Sequence, residues 1–471
     1  MLSTSPAQPS SQHLPGNPYL PPQKLASVLP LELLENIIGF LLDYPSSVRT
    51  TVIPPPNQHL RAFATVCRAW HHASLPHRFQ HVHLTHTDTG YDDRVRHFAA
   101  MDRFYCANPH LGQLVRIVTL DMTVLRDGPM VTRSAEGTVT SRARDLIATV
   151  PVRRLTLSMS GQGHKRRYSS GETLEDIRPL ALHLHSIMQT MPGVTIWRLD
   201  FDRQKYRLSK TARILFETMT FHGVGAKKAT TLHLSSLPKL YTVPPATPIY
   251  NWIGSLARLE TLETVAFTSR FFTLDLRHAM RATQAPITTI KLLGLRFWDS
   301  DDRWLPFPHV SSHLVSVDIT NTVGLMYGSR FLHQLAENCP AVRHLSLAIP
   351  DVSNSDKEMN IHGTWDRNFF AFQEGIFNVV DRCSDLRTLD LSYHRALPDN
   401  VLTRVLAGAA RLEKLKLRGC EEVTGRKVGE IRCVGLRELD VKECNNVAAM
   451  FLSKVVRICA ECVVVGDDLA Y

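Results

Sequence analysis

Three hexads near the C-terminus of this 471-residue chain share one pattern: Leu386-Arg387-Thr388-Leu389-Asp390-Leu391, Leu412-Glu413-Lys414-Leu415-Lys416-Leu417 and Leu436-Arg437-Glu438-Leu439-Asp440-Val441, starting 26 and 24 residues apart. Side chains alternate sides along a strand, so the fourth and sixth places share one face and the third and fifth share the other. One such unit cannot bury its leucines alone. Each needs a neighbouring copy on either side, which makes the chain a stack of units, a solenoid. Weaker copies begin at Val115, Val152, Ile196, Ala229, Leu262, Ile287, Leu314 and Val342, about 25 to 44 residues apart, so some units carry insertions. Short helices are expected between strands, for instance over Asp399–Ala407 and Asn368–Asp381.

Apolar residues in this pattern at a period of roughly 20–29 residues are the signature of a leucine-rich repeat. An unrelated α/β domain of alternating strands and helices competes for the early copies; the three clean copies favour one solenoid over residues 85–471, clearest at 386–450. The fold class expected is α/β, with parallel strands on one side and helices on the other. The outward positions are then Thr388, Asp390 and Ser392; Lys414, Lys416 and Arg418; and Glu438, Asp440 and Lys442. Upstream they are Arg154, Thr156 and Ser158; Thr231, His233 and Ser235; Thr264, Ala266 and Thr268; Ser316, Asp318 and Thr320; and His344, Ser346 and Ala348. Position by position, a solvated sheet face explains them. Taken together, they form the concave face on which such folds bind. Its charged end makes Asp390, Lys414, Lys416, Arg418, Glu438, Asp440 and Lys442 the candidates for substrate contact.

A different pattern precedes the repeats. Pro30 stands where a helix tolerates proline, and Leu33, Leu34, Ile37, Ile38 and Leu41 form a wide apolar stripe on a short helix. Glu32 and Glu35 lie in its first turns, and Tyr44-Pro45 ends it. A second helix from about Gln58 to Ala73 carries Leu60, Phe63, Ala64, Cys67 and Trp70 on one face. So small a unit cannot bury this surface alone, which points to a partner groove. The plainer reading is a helical hairpin capping the next domain.

The run Leu29-Pro30-x-Glu32-Leu33-Leu34-x-x-Ile37, followed by Val66-Cys67-Arg68-x-Trp70, resembles an F-box. The resemblance covers residues 24–84 and departs from the usual pattern in a longer, proline-rich insertion at about 43–57. Gly419-Cys420 and Glu443-Cys444 are similar to the cysteine-containing repeats common in F-box proteins with C-terminal leucine-rich repeats, here of the fungal type. The resemblance implies a non-catalytic subunit of an SCF-type (Skp–cullin–F-box) ubiquitin ligase. It would bind a Skp-type adaptor, and through it a cullin, with an unknown protein substrate on the repeats. Leu29, Pro30, Leu33, Leu34, Ile37, Ile38, Leu41, Val66, Cys67 and Trp70 would form or support the adaptor surface. Contact and internal packing are not separable among them. A scaffold without a ubiquitination role, and a nucleic-acid-binding solenoid, are the competing functions.

The remaining sequence narrows the classes. Residues 1–23, rich in Ser, Pro and Gln, read as a disordered tail with no secretion signal. No apolar run is long enough for a bilayer, so no membrane role is expected. Nine cysteines without framework spacing read as reduced thiols, which places the chain in the cytoplasm or nucleus. The net charge of +10 allows an acidic or phosphorylated partner or nucleic acid, but it is spread along the chain and does not decide between them; no aromatics interleave with the lysines of the sheet, which argues against single-strand stacking. His71, His72, His77, His81, His83 and His86 crowd together without a neighbouring cysteine pair, and Cys459-x-x-Cys462 has no second pair. Polar surface and packing thiols are the expectation, with no metal and no cofactor. Gly223-Val224-Gly225 is similar to a phosphate loop but lacks its spacing and reads as a turn before the strand at Thr231. The basic loop His164-Lys165-Arg166-Arg167 precedes Ser169 and Ser170; a solvated loop is its default, a nuclear-import or nucleic-acid patch or a phosphorylation site the alternative. No catalytic constellation appears, so no enzyme is expected.

Overall fold

The computed structural model describes residues 74–75, 79–84, 91–121, 150–159, 193–201, 219–221, 223, 228–235, 248–265, 285–293, 313–320, 329–349 and 362–466. The chain divides into two compact units, residues 1–82 with 108–115, and residues 83–107 with 116–471. In the first, the described residues include the short helix α2 (Pro109–Gly112), with proline at its first position. The second includes helix α1 (Tyr91–Ala107) and carries the repeats.

Thirteen strands follow one another in sheet order as they do in sequence: β1 (His81–Leu84), β2 (Ile117–Asp121), β3 (Arg154–Met159), β4 (Ile196–Phe201), β5 (Thr231–Ser235), β6 (Thr261–Val265), β7 (Thr289–Leu293), β8 (Ser316–Asp318), β9 (His344–Ser346), β10 (Thr388–Asp390), β11 (Lys414–Lys416), β12 (Glu438–Asp440) and β13 (Val463–Val465). Every pairing from β2 to β13 is parallel. Strand order equal to chain order, with parallel pairing and helices in the connections, is the α/β leucine-rich-repeat solenoid. The described helices α3 (Pro248–Ser255), α4 (Ser329–Asn338), α5 (His362–Arg382), α6 (Asp399–Gly408) and α7 (Ala449–Ile458) lie between strands. None of them is long and apolar enough to cross a membrane.

Register is set by buried columns. Leu155, Trp197, Leu232, Leu262, Ile290, Val317, Leu345, Leu389, Leu415 and Leu439 pair rung to rung, each at most 4% exposed. A second column, Val152, Val194, Ala229, Leu259, Ile287, Leu314, Val342, Leu386, Leu412 and Leu436, lies three residues earlier in each unit. Full burial of one such side chain is worth about 1.5–3 kcal/mol. The helices close the core from the other side, through Phe331, Leu332 and Leu335 on α4, Phe372, Ile376 and Val379 on α5, and Leu402, Val405 and Leu406 on α6. Gly375 admits Leu332 where α4 meets α5, since a Cβ there would lie 2.6 Å from the leucine Cβ.

The columns correct two of the repeat starts. The fourth unit begins at Val194, because Trp197 and Leu199 are buried while Ile196 is only partly so. The sixth begins at Leu259, because Leu262 pairs with Leu232 and Leu292 with Thr264. A displacement by an odd number of residues exchanges the faces of a strand. Glu263, not Thr264, therefore stands beside His233, and Ala266 and Thr268 lie outside the described residues. Among the other expected outward positions, Thr156, Ser392 and Ala348 are buried. Ser392 is drawn down by Asp390, whose Oδ1 accepts its backbone N–H at 3.0 Å and its hydroxyl at 2.6 Å.

Thiols join successive rungs. Cys420 donates to the carbonyl of Leu391 at 3.2 Å and Cys444 to that of Leu417 at 2.8 Å. A second set follows the helices, with Cys383 donating to the Cys339 carbonyl at 3.7 Å and Cys459 to the Cys433 carbonyl at 3.3 Å. Burial pushes the thiols of Cys339 and Cys433 up to about 12 and that of Cys383 to about 11, far from reactive thiolates. Cys459 is accordingly a packing residue of the last rung, and Cys462 beside it is only partly buried.

Two polar groups are built into the core. Asp399, at the start of α6, accepts the N–H groups of Thr424 and Gly425, both at 2.8 Å, and the Thr424 hydroxyl. Burial alone would raise this carboxyl, but the hydrogen bonds outweigh it and hold the pKa below the ordinary value. His394 is fully buried, stacked on Phe372 with ring centroids 4.7 Å apart, and its Nε2 donates to the Leu347 carbonyl at 2.8 Å. Burial lowers its pKa from 6.5 to about 4.

Both groups destabilise the fold in acid, in different windows. The unfolded chain binds a proton at His394 near pH 6.5 and the folded chain only near 4, so stability is lost as pH falls between those values, by up to about 3 kcal/mol. The share from Asp399 is lost below its ordinary pKa. Urea titrations at pH 7, 5 and 4 check this: the drop from 7 to 5 is expected to shrink in His394→Gln. Asp399→Asn is expected to lose about 1.5–3 kcal/mol at pH 7, because a charge-assisted acceptor of three donors is replaced by a weaker one.

Candidate protein-interaction surface

The sheet face away from the helices presents two rows in register. One runs Arg154, Ile196, Thr231, Thr261, Thr289, Ser316, His344, Thr388, Lys414, Glu438. The other runs Thr156, Arg198, His233, Glu263, Lys291, Asp318, Ser346, Asp390, Lys416, Asp440. The first is dominated by hydroxyls through its middle; the second alternates in sign over much of its length.

Neighbouring rungs neutralise one another. Glu263 takes His233 Nδ1 at 3.1 Å on one side and Lys291 Nζ at 3.7 Å on the other. Burial, with help from Arg154 and Arg198, outweighs the pull of Glu263 and lowers the pKa of His233. Glu263 and Lys291 were absent from the sequence-derived face, for Glu263 because the unit was started three residues late. The three-residue spacing of Leu259 and Leu262, as between the first and fourth places of the hexads, is the signal that could have revealed it.

All seven residues expected to contact substrate lie together on β10–β12 or directly after them. Lys414 is paired with Glu438 at 2.8 Å. Asp440 Oδ1 accepts the Lys442 N–H at 3.1 Å, as Asp390 does that of Ser392 and Asp318 that of Thr320 at 3.0 Å. These aspartates therefore brace their own strand ends. Lys416 stands between Asp390 and Asp440 in register. Four cations (Lys414, Lys416, Arg418, Lys442) face four anions (Asp390, Glu438, Asp440, Glu443), so this end of the face carries no net charge. Phosphate-backbone binding draws its strength from unbalanced cations, which this arrangement does not supply.

The residues after the strands make a ridge. Tyr393, Gly419 and Glu443 occupy equivalent places, and all three adopt positive φ, at 64°, 68° and 61°. This conformation costs a side chain roughly 1–2 kcal/mol and glycine almost nothing. In this turn the Tyr393 and Gly419 N–H groups donate to the carbonyls of Arg418 and Lys442 at 2.6 and 2.8 Å. Tyr393 lies over Gly419, where a Cβ would come within 2.5 Å of its ring. The Arg418 guanidinium stands 5.8 Å from the centre of that ring and donates through Nε, at 2.9 Å, and Nη2 to one oxygen of Glu443. That hydrogen bond raises the Arg418 pKa. Gly419 apart, sequence reasoning had no sign of the positive φ, because tyrosine and glutamate do not advertise it.

Leu29, Pro30, Leu33, Leu34, Ile37, Ile38, Leu41, Val66, Cys67 and Trp70, the residues expected to hold the adaptor, lie outside the described residues, as does the basic loop at His164–Arg167. Among the described residues no group of three or more His, Cys, Asp or Glu side chains is placed to hold a metal ion.

No known family model matches the chain, and no curated protein matches it. Among solved structures it is similar to one in the crystal structure of the Rad7 and Elc1 complex in yeast, at 14% identity and a TM-score of 0.43, over 79% of this chain and 84% of that one. It is also similar to one in the crystal structure of the TLR13–ssRNA13 complex, at 12% identity and a TM-score of 0.35, over 76% of this chain and 51% of that one.

Gly419→Ala is expected to lower stability by about 2 kcal/mol, since it adds both positive-φ strain and a clash with Tyr393. Arg418→Ala is expected to cost under about 1 kcal/mol, because its ion pair is solvent-exposed. Chemical denaturation midpoints of the two variants check the contrast.

Proposed function

We propose that this chain is the substrate-recognition subunit of an SCF-type ubiquitin ligase. It would dock a Skp-type adaptor through residues 29–70 and hold a protein substrate on the repeats, acting in the cytoplasm or the nucleus. The run Leu29-Pro30-x-Glu32-Leu33-Leu34-x-x-Ile37 with Val66-Cys67-Arg68-x-Trp70 carries the proposal. The solenoid supports it by offering an extended face of paired, mostly neutral rows, suited to a protein surface. The chain would do no chemistry itself. Holding the substrate next to the ubiquitin-charged enzyme raises its effective concentration there, and the transfer belongs to the partner subunits.

The competing function, a scaffold that docks proteins without ubiquitination, differs in one consequence: depleting the chain then leaves the lifetime of its bound protein unchanged. As a ligase subunit, depletion lengthens that lifetime.

The full chain is expected to retain the Skp-type adaptor and a cullin on co-purification. The Leu29→Ala, Pro30→Ala double variant, with an unchanged circular dichroism spectrum, is expected to lose both. Wild-type chain that retains neither overturns the proposal.

A further inference from the structure

We infer that the ridge of Tyr393, Arg418, Lys442 and Glu443 is a contact for an acidic segment of a protein partner, with a partner carboxylate seated on the outer edge of the Arg418 guanidinium beside Lys442. The inference rests on the proposed function only in taking the partner to be a protein.

The backbone gives the first reason. At three equivalent places in successive rungs the backbone adopts positive φ, and the middle rung answers with glycine, the residue suited to it. The rungs on either side keep a tyrosine and a glutamate there instead, against the preference of the backbone. Both of those side chains converge on Arg418. Strain held by side chains that gather around one exposed guanidinium is the mark of a recognition site.

Donor geometry is the second. A guanidinium has five N–H donors. Glu443 takes Nε and one N–H of Nη2, both on a single oxygen, which fixes the plane of the group. The Nη1–Nη2 edge then faces away from Glu443, and this edge is the fork that receives a carboxylate through two parallel bonds. Glu443 acts as the positioning residue and leaves that edge to a ligand.

Charge is the third. This end of the face is neutral as a whole, so the attraction is local: Asp390 and Asp440 keep their charge but are anchored to the N–H groups of their own strand ends. Lys416 and Lys442 form no ion pair among the described residues, and Lys442 stands one rung from Arg418, roughly 4.8 Å along the sheet. A carboxylate on the fork would lie within reach of the Lys442 ammonium. Tyrosine and arginine side by side, half exposed, are also the residue types in which binding energy concentrates.

The test uses the full chain and two fluorescein-labelled probes, hexaglutamate and hexaglutamine, read by fluorescence anisotropy. Hexaglutamate is expected to bind and hexaglutamine not. Arg418→Lys keeps the charge but removes the fork, and should weaken hexaglutamate binding at least about tenfold. Arg457→Gln, an exposed cation on α7, should leave it unchanged. Tyr393→Gly suits the positive φ, so it should remain folded while losing affinity. Equal binding by wild type and Arg418→Lys overturns the inference, as does equal binding of the two probes. Displacement by inorganic phosphate as readily as by free glutamate peptide would also overturn it, making the ridge a general anion site. Adaptor retention, measured on the same preparations, separates the two proposals. Its loss in wild type falls on the ligase reading, and the probes alone decide the ridge.

Discussion

Each rung of this solenoid is held in place by the rung before it, through parallel hydrogen bonding that aligns one buried leucine column. The column fixes which residue of each strand faces the helices, and so which residues face out. It also sets where the turns fall, because the ladder runs past the strands to Tyr393 and Gly419, whose N–H groups reach the next rung. The thiol bonds to carbonyls one unit away, and Asp399 bound to Thr424 and Gly425, repeat the same logic in polar form. Cohesion here is between neighbours; little of it crosses more than one rung.

The hexads at 386, 412 and 436 were fully legible because their leucines sit at every required place. Units with insertions were legible where strong apolar residues marked all three places, as in Val152-x-x-Leu155-x-Leu157. The two displaced starts have a common cause. Ile196 and Val265 are apolar residues beside the true inward positions, and they drew the pattern towards themselves. A polar residue in the sixth place, Thr264, removed the landmark that would have held it. One wrong phase hid Glu263, the link between His233 and Lys291, since the faces exchange together.

The charged residues of β10–β12 could be placed from sequence, but their roles could not. Asp390 and Asp440 look like an acidic face and in fact stabilise strand ends; Lys414 looks like a binding lysine and is committed to Glu438. Such commitments depend on distances between rungs, which no single strand encodes. The positive φ at Tyr393 and Glu443 belongs to the same class: only Gly419, in the middle rung, hints at it.

The buried thiols have a consequence for how the solenoid comes apart. Cys339, Cys383 and Cys459 are sealed in three different units, and Cys420 and Cys433 share a fourth. A thiol-specific reagent can reach each of them only when its own unit opens, so every cysteine works as a local clock. In a structure bonded neighbour to neighbour, fraying from one end would label them in spatial order, whereas a single cooperative unit would label them together. The cysteines thus record, rung by rung, how far a loss of order spreads before the next leucine stops it.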